Sequence, residues 1–239
     1  MTESSKVERI YAQTVLAKDR RDGVSDDTGM AALVIPGVIA PSTSEAGQLK
    51  AIRSVLIEYE LKPILVSPKG VNLAWDRTDT GQKDFRVIAG NFVAHLNLRP
   101  NATKLLIVAY SGGGMVTTHC AFDPEIIPID LPLFVAGFSA KFDDTKVYDK
   151  AGHAIDFKKF RGDSVQFCSR VTDIISIHGS RDFEVSKAKS HPACLPAASC
   201  IDVDADHASV FKNEAALDHL RRFLERIGLR ASPSTSATT

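Results

Sequence analysis

The stretch Lys104-Leu105-Leu106-Ile107-Val108-Ala109-Tyr110-Ser111-Gly112-Gly113-Gly114 decides the fold of this chain. Lys104 to Ala109 is apolar after its first residue, with no polar alternation. Strands of that kind are buried on both faces of a parallel sheet. The glycines then turn the chain into a helix-compatible run that ends near Phe122. A hydroxyl on such a strand-to-helix turn projects from the end of the sheet, where a base and a substrate can reach it. The turn crowds the positions two before and two after the hydroxyl, so both must be small. Here they are Ala109 and Gly113. The free N–H groups that open the following helix can stabilise an oxyanion. A glycine-rich turn that binds phosphate or merely packs is the competing reading of these residues.

Along the rest of the chain, short apolar runs alternate with longer amphipathic ones. Met30 to Ile35, Lys62 to Val66, Leu131 to Phe138, Asp173 to Ile177 and Ser199 to Val203 read as further strands. Glu45 to Tyr59, Phe85 to Leu96 and Ala215 to Ile227 read as helices, each with apolar residues at helical spacing on one face. Regular strand–helix alternation predicts right-handed crossovers and a three-layer α/β/α sandwich around a mostly parallel sheet. Reactive groups then belong at the carboxyl ends of the strands. A single domain is expected over residues 1–230, with edge-strand candidates at Val7 to Leu16 and a small polar insertion at 139–170. The low-complexity tail from Ala231 reads as disordered.

Composition is ordinary for a globular chain, with 239 residues, 44% hydrophobic and 24% charged. Lys+Arg and Asp+Glu are both 29, and no basic cluster stands out, so a nucleic-acid partner is not expected. No run of about 18 apolar residues is present to suggest a membrane span. The N-terminal residues lack the apolar core of a signal peptide, and a cytoplasmic setting is expected. The four cysteines show no metal-ligand spacing. Cys194 and Cys200 are near enough in sequence to pair, but free buried thiols are the preferred reading.

Two later segments carry the partners a serine nucleophile needs. Ile177-His178-Gly179-Ser180-Arg181-Asp182-Phe183-Glu184-Val185 places Asp182 just beyond the Asp173 strand. A carboxylate there can accept the Nδ1–H of a histidine and fix its orientation. Glu184 is the weaker rival, and a surface aspartate in a turn is the plain reading. Asp204-Ala205-Asp206-His207-Ala208-Ser209 follows the Ser199 strand and makes His207 the candidate base. His178, at the end of a strand, is the rival base. Ser111, Asp182 and His207 thus occur in that order, each past the carboxyl end of a different predicted strand.

That set resembles the α/β-hydrolase superfamily. Ala109-Tyr110-Ser111-Gly112-Gly113-Gly114 is similar to its nucleophile elbow, with Ala109 in place of the usual first glycine. His178 to Val185 resembles the HGxxDxxV stretch of many esterases and serine peptidases, and Asp204 to Ser209 its histidine loop. The resemblance spans residues 30–228. It implies Ser111 as nucleophile, Asp182 as acid, His207 as base, and no metal or other cofactor. It further implies an oxyanion hole from the N–H of Gly112 and a second donor after the first strand. Val38 is the best candidate for that donor, in a Pro36-Gly37 context where relatives usually have His-Gly. A reduced set of N-terminal strands is expected.

The substrate implied is a small-molecule acyl ester, cleaved through an acyl-enzyme. Only a small cap fits between the Leu131 and Asp173 strands, which favours an open site. Tyr110, Trp75 and Gly37, with Phe138 and Phe142, are candidates to line an acyl pocket; packing is the competing role for the aromatic residues. A thioesterase, acyltransferase or serine peptidase would use the same three residues. A catalytically silent ligand-binding homologue belongs to a different class.

Overall fold

A computed structural model describes residues 29–35, 50–65, 102–121, 127–142, 146–148, 154–156 and 164–232. Its main sheet consists of β1 (Met30–Ile35), β2 (Ile64–Leu65), β3 (Lys104–Tyr110), β4 (Leu133–Phe138), β7 (Asp173–Gly179) and β8 (Cys200–Val203). Their order is β2-β1-β3-β4-β7-β8, and every neighbouring pair is parallel.

The apolar strands are two-faced, as their composition requires. Along β3, Leu106, Val108 and Tyr110 enter one core, while Leu105, Ile107 and Ala109 enter the other. β1, β4 and β7 divide in the same way. On the first face lie α1 (Lys50–Glu58), through Ile52, Val55 and Leu56, and α5 (Glu214–Arg226), through Leu217, Leu220 and Phe223. On the second lie α2 (Gly113–Ala121) and α3 (Ser164–Arg170), which contribute Ala121 and Phe167. The result is a three-layer α/β/α sandwich. Phe138 and Phe142 belong to these cores, at 0% and 1% exposure, rather than to a pocket wall.

Several expected boundaries move for local reasons. The strand expected from Leu131 begins at Leu133, since Pro132 has no N–H to offer a ladder. β7 runs on to Gly179, and α5 starts one residue early because the Asn213 side chain caps it, accepting from Ala216 N–H at 3.1 Å. Within 139–170, β5 (Lys146–Tyr148) and β6 (Ala154–Asp156) form an antiparallel ribbon, followed by α3. α4 (Lys187–Ser190) is a single turn after β7. The expected helix at Phe85 to Leu96, the Val7 to Leu16 strands and residues 233–239 of the tail lie outside the described residues.

The cysteine expectation is corrected. Cys168, in α3, pairs with Cys194, and Cys200 is free. Sequence distance favoured Cys200 as a partner, but its place on β8 holds it in the sheet while the fold brings Cys168 to Cys194. Disulfides are uncommon in reducing compartments, so cysteine usage no longer supports the cytoplasmic expectation. Among the described residues no helix is long and apolar enough to cross a membrane.

Candidate active site

The carboxyl edge of the sheet gathers the chemistry. β1 pairs with both β2 and β3, so the chain reverses direction across the sheet between β1 and β3. Open α/β sheets bind ligands at such a switch point, and Ser111 lies there, one residue beyond β3. Its φ is 51°, a left-handed conformation that costs a non-glycine residue about 1–3 kcal/mol. Bonds on both sides hold the turn. Ser111 N–H donates to Phe138 O at 3.2 Å, and Ser111 O accepts from Gly114 N–H at 3.1 Å and Lys141 N–H at 2.8 Å. Gly114 lies so close to the segment after β4 that a Cβ would stand 2.7 Å from Lys141 N. α2 begins at Gly113 and aims its N-terminus at this turn.

His207 arrives on the loop after β8. Its Nε2 is 3.0 Å from Ser111 Oγ and its Nδ1 is 2.7 Å from Asp182 Oδ2. With Asp182 ionised, Nδ1–H donates to the carboxylate, and Nε2 is left to accept the Ser111 proton. Tyr110 fixes the imidazole from below. Its hydroxyl donates to His207 O at 2.8 Å and its ring stacks on the imidazole at 5.0 Å. Burial, reinforced by Glu184, Asp182 and Asp206, holds the Tyr110 phenol well above the ordinary range. Tyr110, expected in the acyl pocket, is thus buried at 7% exposure in contact with His207. Nothing in the sequence signals this contact, since a tyrosine preceding Ser111 looks the same in either role.

Asp182 sits at the tip of the loop after β7, its side chain fully buried. Oδ1 accepts from the N–H groups of Glu184 and Val185, both at 2.9 Å. Burial pushes its carboxyl up. The Val185 N–H, His207 and Ser139 outweigh that, so the group lies below the usual carboxylate range. Glu184 faces the other end of the imidazole, with Oε2 3.6 Å from His207 Nε2, and is largely exposed at 73%. His178 is buried at the end of β7, and its Nδ1 has no hydrogen-bond partner. Neither rival occupies the position of Asp182 or His207.

The structure therefore brings Ser111, Asp182 and His207 together, with Gly112 directly after Ser111. Val38, Gly37 and Trp75 lie outside the described residues.

No family model matches this chain. No protein of curated function matches it either. Solved structures do. Est1E from Butyrivibrio proteoclasticus is 16% identical, with a TM-score of 0.51, over 85% of this chain and 91% of that one. The carboxylesterase Cest-2923 from Lactobacillus plantarum WCFS1 is 10% identical, with a TM-score of 0.57, over 88% and 92%. An acylaminoacyl peptidase from Pyrococcus horikoshii is 14% identical, with a TM-score of 0.55, over 90% of this chain but 39% of its own length. At these identities the likeness is one of fold, and the chain has the α/β-hydrolase fold.

Proposed function

We propose that this chain is a serine hydrolase that cleaves carboxylic esters through an acyl-enzyme on Ser111. The observation that carries the reading is the continuous hydrogen-bonded series Ser111 Oγ, His207 and Asp182, at 3.0 and 2.7 Å, on a strained turn at the sheet's carboxyl edge.

His207 Nε2 takes the Ser111 proton as Oγ forms a bond to the ester carbonyl carbon. The Gly112 N–H and the start of α2 stabilise the oxyanion; Val38 is the second donor in this proposal. Loss of one such donor costs about 10²–10³ in turnover. The tetrahedral species collapses, and the leaving alkoxide takes the proton from His207. Water then gives its proton to His207 and attacks the acyl carbon, and Ser111 leaves with that proton restored. Asp182 holds the imidazole throughout and stabilises its protonated form.

The test is labelling with a fluorophosphonate probe, wild type against Ser111→Ala. Labelling and hydrolysis of p-nitrophenyl esters should both vanish in the variant. Equal labelling of the two proteins would sink the assignment. Thioester and amide substrates run beside the esters separate the thioesterase and peptidase readings.

A further inference from the structure

Ser139 follows the last residue of β4 and is fully buried, at 0% exposure. Its φ is 42°, so a non-glycine side chain is held in the left-handed region, where only surrounding structure can keep it. Glycine takes that conformation freely; a serine there costs stability and needs a reason in its hydroxyl.

The bonds around it supply one. Ser139 N–H donates to Ile177 O at 2.7 Å. Its Oγ accepts from Gly179 N–H at 3.2 Å. Gly179 O in turn accepts from Asp182 N–H at 2.9 Å, so two hydrogen bonds lead from the Ser139 hydroxyl to the backbone of the acid. Gly179 has little freedom to shift, because a Cβ there would stand 2.6 Å from Ala205 O in the loop that bears His207. A buried hydroxyl that accepts one bond still has its own proton to place. Ser139 is also among the groups that hold the Asp182 carboxyl low, after the Val185 N–H and His207. Two residues on, Lys141 N–H holds Ser111 O, so this short segment touches both the nucleophile's turn and the acid's loop.

We propose that Ser139 is a positioning residue: its buried hydroxyl anchors the base of the acid loop at Gly179 and so aims Asp182 at His207. The inference rests on the serine-hydrolase reading and adds to it a residue that touches no substrate. The titratable groups facing Asp182 are His207 from the loop after β8, His178 on β7 and Tyr110 on β3.

Ser139→Gly and Ser139→Ala in the full chain test this. Glycine relieves the strain but leaves the Gly179 N–H unpaired, two effects of similar size, so Ser139→Gly should fold with a thermal midpoint near that of the wild type, and Ser139→Ala with a lower one. In both variants kcat for a p-nitrophenyl ester should fall about ten- to a hundredfold, as expected when a buried bond that holds the acid loop is lost, with KM within about twofold. Fluorophosphonate labelling of Ser111 should slow in parallel. The base must be neutral to act, and a less well aimed Asp182 supports protonated His207 less, so the acid limb of kcat/KM should move to lower pH. A Ser139→Gly protein with wild-type kcat and an unmoved acid limb overturns the proposal. So does a loss that is equal at every pH, which would mark a purely structural role. Wild-type protein that fails to label at Ser111 overturns the hydrolase reading itself, and this inference with it.

Discussion

Two carboxylates flank His207, and their positions give them different work. Asp182 is buried and meets Nδ1, whereas Glu184 is exposed and meets Nε2, the nitrogen that also faces Ser111. Only the first can fix the tautomer that leaves Nε2 free to accept a proton. Asp182→Asn should therefore lower kcat by about 10³–10⁴. Glu184→Gln should leave neutral esters within about threefold, since an exposed charge acts through screened, high-dielectric surroundings. Removing that charge should raise kcat/KM for esters carrying a carboxylate by about two- to fivefold, most visibly at low salt. Steady-state kinetics on paired neutral and anionic esters checks all three, and a large loss for Glu184→Gln on neutral esters would reverse the two assignments. Asp182 and His207 were legible in the sequence because each follows a strand-like run by a few residues. Ser139 was not, since its signal is a backbone angle and a buried bond, and a serine after a strand looks like any turn serine.

At the scale of elements, α2 shows how a weak helix sequence is held in place. Gly113-Gly114-Met115-Val116-Thr117-Thr118-His119-Cys120-Ala121 opens with two glycines and contains β-branched residues, which are poor helix formers. The buried Thr117 and Thr118 hydroxyls donate to Gly113 O and Gly114 O at 2.8 and 2.9 Å, four residues back, so neither is left unpaired. Gly114 is needed for closeness, because the backbone after β4 occupies the space a methyl would take. Gly114→Ala should cost about 1–3 kcal/mol of unfolding free energy through overpacking. It should also displace the start of α2 and slow Ser111 labelling. Chemical denaturation with probe kinetics reads both effects, and unchanged stability would show that the neighbouring segment yields. The strands were legible because an unbroken apolar run buried on two faces has few other interpretations. The Cys168–Cys194 pair was not, because its partners are 26 residues apart and only the packing of α3 against the sheet brings them together.

Across the whole molecule, the sheet carries a second buried polar cluster beside the first. Ser176 Oγ donates to Ser190 O at 2.6 Å and so must accept from His191 Nδ1–H, 3.0 Å away. That leaves His191 Nε2 3.4 Å from Asp202 without a hydrogen bond, while the His178 ring packs edge-on at 5.6 Å. Burial is the largest influence on both imidazoles and holds each below the ordinary histidine value, although Asp202 pulls the other way. The folded state thus keeps them neutral where the unfolded chain would protonate them. Below about pH 6.5 the unfolded chain therefore binds more protons, and stability must fall with pH. The stabilisation is complete above that value and is lost as pH drops toward the lowered folded values. Asp182, whose carboxyl is held low, adds a further loss only below about pH 4. Thermal midpoints should accordingly be flat from about pH 8 to about pH 7 and decline steadily toward about pH 5. His191→Gln keeps a donor for Ser176 Oγ but removes one titrating group, so its decline should be shallower even if its absolute midpoint is lower. Differential scanning fluorimetry across that range decides the matter: midpoints independent of pH, or rising on acidification, would mean that these imidazoles are not held neutral by burial.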